Sequence, residues 1–398
     1  MSVFKEDMKQ AKERLAAWWD HDLIDRPCIS YWMLREGARI SVDEIREYFD
    51  PWYLAQNWDD ITICLNNFES NLNKLCYGGE SIPRFFPNYG AGIMAAVFGV
   101  APEYKGGTMW FHRDTSLEEI IPLLESAQMN MNNPWYARLR RVTELAAKRA
   151  KKDFCVAMTD LGGVLDILSS FLGPEKLIIT MNRQPELIDR CRTIILEKLL
   201  KVYDDLQTVI ERYGEGCSSW MHLWCPKRWY PIQSDFSYML SPKWFKRFAL
   251  PDIISQAEHL DYALYHLDGP NQLVHLDDLL AVSAIHGIQW VPGASEAPKC
   301  SDKWMPVYKK IQAAGKNIFI DFFEDLKGLS HFYTQLEPKG LLINIIALED
   351  NIGLKYYLPK FVGGQGGEGD FKEFRRSMRK RSRPPYDLAI TERLCGVL

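Results

Sequence analysis

The sequence predicts an α/β protein, a single (β/α)8 TIM barrel with an N-terminal helix and a C-terminal extension. With 398 residues and 47% hydrophobic content, the chain can bury one large core. From Cys155 onward, strand-like and helix-like segments alternate with short connections, which favours βαβ units and a parallel sheet. About eight strands with one helix each fit a barrel better than an open sheet. Neither GxGxxG after the first strand nor GxxxxGK[ST] occurs, so the nucleotide-binding open-sheet folds lose support.

The elements follow in order from the amino terminus. The charged, amphipathic segment MSVFKEDMKQAKERLAAWWDHD predicts the N-terminal helix. The stretch from Tyr53 to about Glu118 is rich in Gly, Pro and aromatic residues, as is typical of loops that form the mouth of a barrel site. Long helices are predicted for Pro185 to Tyr213 and for Ser241 to Leu260. Apolar, β-forming runs predict the strands CISYWML, DITICL, FCVAMTDL, CSSWMHLW, YALYHLD, GIQWVPG, NIFIDFF and LLINIIAL.

The composition changes near the carboxyl terminus. The barrel is predicted to occupy residues 1–361, and the Gly-rich run VGGQGGEGD follows it as a flexible linker. The segment FKEFRRSMRKRSRPP is strongly basic, so residues 362–398 are predicted to be a linker with a basic C-terminal extension. This basic run is short and no recognition module accompanies it, which disfavours a nucleic-acid partner.

The net charge and the cysteine pattern bear on which partners and which cellular location are expected. A formal net charge of -4 gives no general attraction to nucleic acid or to anionic membranes. The nine cysteines form no CxxC pair, which is typical of reduced thiols in the cytosol. No apolar run reaches the length of a membrane span, and the amino terminus lacks the apolar core of a signal peptide. The expected location is therefore cytoplasmic.

The run YALYHLD supplies the first candidate site residues. His266 and Asp268 are two residues apart on a predicted strand, so they would face a common space at the end where barrels carry their chemistry. They could be metal ligands or an acid–base pair. Structural alternatives stay open, because a buried neutral histidine can orient a loop and Asp-Gly-Pro is a turn signal in which the carboxylate caps the next helix.

Aromatic and cationic residues are predicted to shape a substrate pocket. His222 lies on a predicted strand with Trp220 and Trp224 at same-face spacing, and such a face is expected to line an opening. Trp290 is expected to contribute to the same pocket, and Arg228 offers positive charge for an anionic ligand.

Carboxylates at predicted strand ends are candidate acids and bases. Asp160 ends the run VAMTD, and Asp235 lies just beyond the run CSSWMHLW, where it could reach into the same opening. Such groups can exchange protons with a substrate if burial moves their pKa values apart. For each of them, a helix N-cap is the structural alternative.

Four segments in order resemble the uroporphyrinogen decarboxylase superfamily, which also holds the corrinoid-dependent methyltransferases. The segments are FPNYGAGIMAAVFGV, MTDLGGVLDILSSFLGPEKLIITMNRQPELIDRC, YPIQSDFSYMLSPKWFKRFALP, and HLDGP followed by GIQWVPG. The similarity runs from about Asp25 to Asn351. This resemblance implies a TIM barrel with its active site at the carboxyl ends of the strands.

The two branches of that superfamily imply different sites. The decarboxylases carry an Arg-x-x-x-Arg motif after the first strand, which holds substrate carboxylates, and LREGAR supplies Arg35 and Arg39. Their His-Gly signature after the last strand is missing. The methyltransferases bind zinc through a His-x-Cys and a distant Cys, and here His266 and Asp268 occupy the corresponding place, with Glu349 as the third ligand.

Three functions follow from these patterns. The first is methyl transfer between a small substrate and a corrinoid protein or thiol, with zinc or another metal near His266 and the corrinoid carried by a partner protein. The second is a metal-free decarboxylase whose carboxylated, tetrapyrrole-like substrate is held by arginines. The third is a non-catalytic ligand-binding barrel. The oligomeric state stays open, with a homodimer among the options.

Overall fold

A seven-stranded, mainly parallel sheet forms the centre of the protein. The computed structural model describes residues 4–35, 38, 51–105, 108–293, 296–321, 332 and 334–347. The strands of this sheet are β1 (Cys28–Leu34), β2 (Leu75–Gly79), β7 (Trp229–Gln233), β8 (Tyr262–Asp268), β9 (Gly287–Val291), β10 (Asn317–Asp321) and β11 (Leu341–Ala347). Their order is β2-β1-β11-β10-β9-β8-β7, and every neighbouring pair is parallel except β1 with β2. The α/β class is therefore confirmed.

Four short strands lie outside this sheet. Strands β3 (Arg84–Phe85) and β6 (Cys155–Val156) pair in parallel, and a single bridge joins Ala157 to Ser218. Strands β4 (Pro102–Lys105) and β5 (Thr108–Phe111) form an antiparallel hairpin within the Gly- and Pro-rich region. In the described part of the chain, hydrogen bonds do not join these strands to the large sheet in one ring. The closed eight-stranded barrel thus stays a prediction.

Helices connect and cover the strands. They are α1 (Met8–Trp19), α2 (Pro51–Gln56), α3 (Ile61–Leu72), α4 (Ile93–Val97), α5 (Leu117–Ser126), α6 (Pro134–Ala150), α7 (Val164–Leu172), α8 (Pro174–Arg183), α9 (Pro185–Tyr213), α10 (Pro242–Trp244), α11 (Leu250–Glu258), α12 (Leu276–Leu280) and α13 (Met305–Ala313). The long helix predicted for residues 185–213 is confirmed as α9.

The helix predicted for residues 241–260 is interrupted. Helix α10 continues into α11 through a π-helical turn, Phe245–Ala249. Pro251 lacks the N–H that would bond the carbonyl of Arg247 in a regular helix. The guanidinium of Arg192 donates to that carbonyl at 3.5 Å, so the wide turn leaves it partnered.

Two predicted strands are not strands in the structure. The run DITICL lies in α3, where Ile61, Cys64, Leu65 and Phe68 are buried at helical spacing. The run CSSWMHLW closes into a loop. The backbones of Cys217 and Cys225 form an isolated antiparallel β-bridge, and His222 between them has a φ of 57°. A short apolar run fits the period of a helix as well as that of a strand, so tertiary packing decided which structure each of these two runs adopts.

Helix α1 covers the amino ends of two adjacent strands, β7 and β8. The ring of Trp19 lies 4.9 Å from that of Trp229 and 5.2 Å from that of Tyr262, the first residues of β7 and β8. Its indole N–H donates to the carbonyl of Trp224 at 3.0 Å. Because tryptophan side chains fill the space at the amino ends of these strands, an active site is expected at their carboxyl ends, as the resemblance implies.

Within the described residues, no helix is long and apolar enough to cross a membrane. The predicted linker and basic extension, residues 362–398, lie outside the described residues, as does the boundary that separates them from the barrel.

Candidate metal and active site

Three side chains from neighbouring strand ends converge on one point. Asp235, His266 and Asp268 each offer one ligand atom, and these atoms all lie within 4.8 Å of one another. His266 and Asp268 share one face of β8, while Asp235 begins the 3-10 turn Asp235–Met239 after the adjacent β7. Nε2 of His266 lies 4.0 Å from Oδ1 of Asp235. One imidazole and two carboxylates suit a divalent cation.

Gln289 fixes the orientation of the His266 ring. It is fully buried on β9, in register with His266, and its Oε1 lies 2.6 Å from Nδ1 of the imidazole. A carbonyl oxygen only accepts, so the neutral imidazole carries its proton on Nδ1. The Nε2 lone pair is then available on the side of Asp235. The ring of Trp220 meets that of His266 edge-on at 5.1 Å, which places this predicted aromatic at the site.

Asp160 is a buried carboxyl in the same region. Its Oδ1 accepts hydrogen bonds from the amide of Gly162 at 3.0 Å, the hydroxyl of Tyr230 at 3.2 Å and Nε2 of Gln233 at 3.1 Å. Burial raises the pKa of Asp160 to about 6, and the negative charge of Asp235 acts in the same direction, while the Gly162 amide opposes the rise. A carboxyl with such a pKa can give or take a proton near neutrality.

Asp166 holds the turn that carries Asp235. Its two oxygens accept from the amides of Asp235 at 3.1 Å and Phe236 at 2.7 Å. Burial raises the pKa of Asp166 to about 7, and the charge of Asp235 adds to the rise. Gly163 makes this approach possible, because a Cβ there would lie 2.3 Å from Asp166 Oδ2 and from the carbonyl of Gln233. Sequence reasoning missed Asp166, which reads as a polar residue of an amphipathic helix.

A cleft of about 410 Å³ opens beside the cluster. Asp235 and Asp268 reach it from one side, and Tyr238 and Met239 present exposed fractions of 43% and 48% at its rim. Its lining is completed by Gly269, Pro270, Pro292, Gly293 and Glu296. Two of the three candidate ligands are therefore accessible to a small molecule.

A buried ion pair stands at the end of β10. Nζ of Lys299 lies 2.9 Å from Oδ1 of Asp321 and donates to the Asp321 carbonyl at 2.8 Å. Burial raises the pKa of Asp268 and the negative charge of Asp235 adds to the rise, while the positive charge of Lys299 opposes it. Lys299 lies in the connection between β9 and α13, and no sequence pattern singles it out.

His222 and Trp224 do not share a strand face with Trp220, because their segment is a loop and not a strand. Burial holds the pKa of His222 well below its usual value, and the charge of Arg84 acts in the same direction. Trp224 is buried towards the amino ends of the strands, where its carbonyl bonds Trp19.

Trp290 also faces away from the cluster. It follows Gln289 on β9, and alternation directs its fully buried side chain to the opposite face, where its ring lies 5.1 Å from that of Trp304. The structure therefore makes it a core residue between sheet and helix.

Two of the predicted substrate-binding arginines bind other groups of the protein, and the third lies outside the described residues. Arg228 precedes β7 and binds Glu211 through Nε at 2.8 Å, at the amino end of the strand. Arg35 donates through Nε to the carbonyl of Leu75 at 2.9 Å. The remaining predicted positions, Arg39 and Glu349, lie outside the described residues.

Comparison with known proteins adds one finding about the fold. No protein-family model matches this chain, and no curated protein matches it in sequence. A solved structure described as a methyltransferase from Methanosarcina mazei has a TM-score of 0.57 and 12% identity, with 92% of this chain and 99% of that chain covered. At this identity the likeness shows the fold alone, and this chain therefore shares the α/β fold of that methyltransferase.

Proposed function

We propose that this protein is a methyltransferase of the uroporphyrinogen decarboxylase superfamily, which moves a methyl group between a small substrate and a corrinoid protein or thiol. The observation that carries the proposal is the convergence of Asp235, His266 and Asp268 at the carboxyl ends of adjacent strands. The fold shared with a structure described as a methyltransferase supports it.

The residues at the cluster fit a divalent metal such as zinc. His266 offers Nε2 in a fixed tautomer, and Asp235 and Asp268 offer carboxylate oxygens beside it. A zinc ion bound there would supply the charge that keeps a thiol acceptor in its nucleophilic thiolate form. Carboxylate in place of the thiolates of the related zinc sites makes this a harder ligand set.

The chain's own groups supply the remaining functions. Asp160, with a pKa of about 6, is mostly ionised at pH 7 and takes up the proton that a thiol releases. Asp166 keeps Asp235 in place through two backbone amides. Tyr238 and Met239 place apolar surface at the rim of the cleft, where it would contact a bound methyl group.

Metal titration and a transfer assay test the proposal together. Purified protein stripped with a chelator is titrated with zinc by calorimetry, and demethylation of free methylcobalamin by a small thiol is followed by absorbance. We expect one zinc per chain and a transfer rate that requires it. Absence of zinc binding would refute the proposed metal site, and zinc binding without transfer would refute the proposed methyl-transfer reaction.

Replacement of Gln289 by leucine is expected to weaken zinc binding about 10- to 100-fold, since an outer partner that orients a ligating histidine has that effect. The dissociation constant is measured by competition with a chromophoric chelator. Gln256→Leu, which removes another buried glutamine on α11, is the matched control and should leave zinc binding unchanged. Equal constants for the two variants would contradict the orienting role.

The metal-free decarboxylase is kept as a second candidate because of Asp160. A buried carboxyl with a pKa of about 6 can protonate a substrate carbon without a metal. This candidate predicts that carbon dioxide release from a carboxylated pyrrole survives chelation and is lost in Asp160→Asn. Methyl transfer predicts the reverse response to the chelator.

A further inference from the structure

Arg84 carries a positive charge that no described residue compensates. The next residue, Phe85, packs against Phe68 of α3, so alternation along β3 directs Arg84 to the opposite, inner face. Nη2 donates to the carbonyl of Trp220 at 3.4 Å, but Nε and Nη1 are shielded from solvent and have no hydrogen-bond partner among the described residues. Burial lowers the pKa of Arg84 to about 10, which still leaves the guanidinium charged at neutral pH.

The groups around this guanidinium are neutral. Burial raises the pKa of the Tyr77 hydroxyl and raises that of the Cys155 thiol to about 11. Burial lowers the pKa of His222, and the charge of Arg84 lowers it further. An isolated buried charge is strongly destabilising, so a fold that keeps one has an unmet requirement for an anion at that place.

Trp220 connects Arg84 with the metal-ligand cluster. Its carbonyl accepts from Arg84, and its ring meets that of His266 at 5.1 Å. The indole N–H of Trp220 is also buried without a partner. Within the described part of the chain, the side chains of Arg84 and Trp220 thus contribute three nitrogen donors without a partner and no side-chain acceptor, a set that matches the oxygens of an anion.

We propose that Arg84 and Trp220 form the subsite for an anionic group of the substrate, a carboxylate, sulfonate or phosphate. This inference rests on the proposed function and names its substrate class, a small anion whose reacting end lies towards His266.

The test compares anion binding by the full-length protein and by Arg84→Met. Thermal unfolding is followed in acetate, methanesulfonate and inorganic phosphate, each against sodium chloride of equal ionic strength. We expect at least one anion to raise the Tm of the unmodified protein and to bind Arg84→Met about 10- to 100-fold more weakly, as loss of charge-assisted hydrogen bonds predicts. The anion that acts identifies which of the three groups the substrate carries.

The variant also reports on the unpaired charge. Without anion, Arg84→Met should have a Tm equal to or above that of the unmodified protein, because methionine fills similar space without the buried charge. Arg190→Met is the control: this arginine is exposed and paired with Glu125, so its loss should not change the response to anions. A clearly lower Tm for Arg84→Met, or no anion response in the unmodified protein, overturns the proposal.

Two further variants separate this subsite from the metal cluster. Trp220→Phe keeps an aromatic ring next to His266 and removes the N–H donor, so it should by itself weaken anion binding. His266→Ala in chelator should keep the anion response, since the subsite needs no metal. If the response disappears in His266→Ala and persists in Arg84→Met, the anion binds at the cluster, and the subsite is refuted while the metal site stands.

Discussion

His266→Ala is expected to weaken zinc binding about 100-fold or more and to abolish methyl transfer. The variant removes the sole nitrogen ligand of the three-residue cluster, whereas loss of an outer partner alone costs about 10–100-fold in metal affinity. The two carboxylates that remain repel each other, and burial already raises the pKa of Asp268. Calorimetric titration of chelator-treated protein with zinc measures the effect.

His259→Ala is the matched control for this experiment. His259 is a partly exposed histidine that ends α11 and lies 3.0 Å from a carboxylate oxygen of Asp204. Its loss should leave both zinc affinity and transfer unchanged. If His266→Ala keeps the zinc affinity of the unmodified protein while it remains folded by circular dichroism, the metal site lies elsewhere.

Asp252→Ala is expected to lower the free energy of unfolding by about 1.5–3 kcal/mol, since Arg192 loses two buried hydrogen bonds but keeps the one of 2.8 Å to Asp189. Arg192 on α9 and Asp252 on α11 form two hydrogen bonds of 2.8 Å each, with side-chain exposures of 8% and 9%. The pair clamps two helices that cover the sheet. Urea unfolding followed by tryptophan fluorescence measures the change.

The double variant Arg192→Met, Asp252→Leu separates the pair's net contribution from the penalty of leaving Arg192 with Asp189 alone. We expect it to recover most of the lost stability, because apolar replacement of a buried ion pair is often neutral. The exposed pair of Arg190 and Glu125 supplies the contrast, and Glu125→Ala should cost at most about 1 kcal/mol. A double variant as unstable as Asp252→Ala would show that packing, not charge, dominates at this position.

Elements with one clear period were predictable from the sequence. The run YALYHLD coincides with β8, and CISYWML coincides with β1, because both are apolar and β-forming along their whole length. The 29-residue helix α9 was also fully predictable, since its apolar positions recur over many turns. The run DITICL is too short for its period to be read, and its helix follows from burial against the sheet.

The candidate site was predictable only where its residues lie on one strand. His266 and Asp268 share a face because a strand has a period of two, and that rule needs no knowledge of the neighbouring strands. The positions of Trp224 and Trp290 could not be predicted in this way, because they depend on other parts of the chain. Trp224 belongs to a loop that closes between Cys217 and Cys225, and Trp290 lies on the face of β9 opposite Gln289, against Trp304.

The sequence by itself determined the α/β class, the main strands and the strand-end pair of His266 and Asp268, because these follow from local period and propensity. Only the tertiary structure decided that Asp235 completes the cluster, that Gln289 and Asp166 hold its members, and that no described residue gives Arg84 a counter-charge. Those relations join residues far apart in the chain, and the distance between side chains on different elements is set by strand register and helix packing, which spacing in the sequence does not encode.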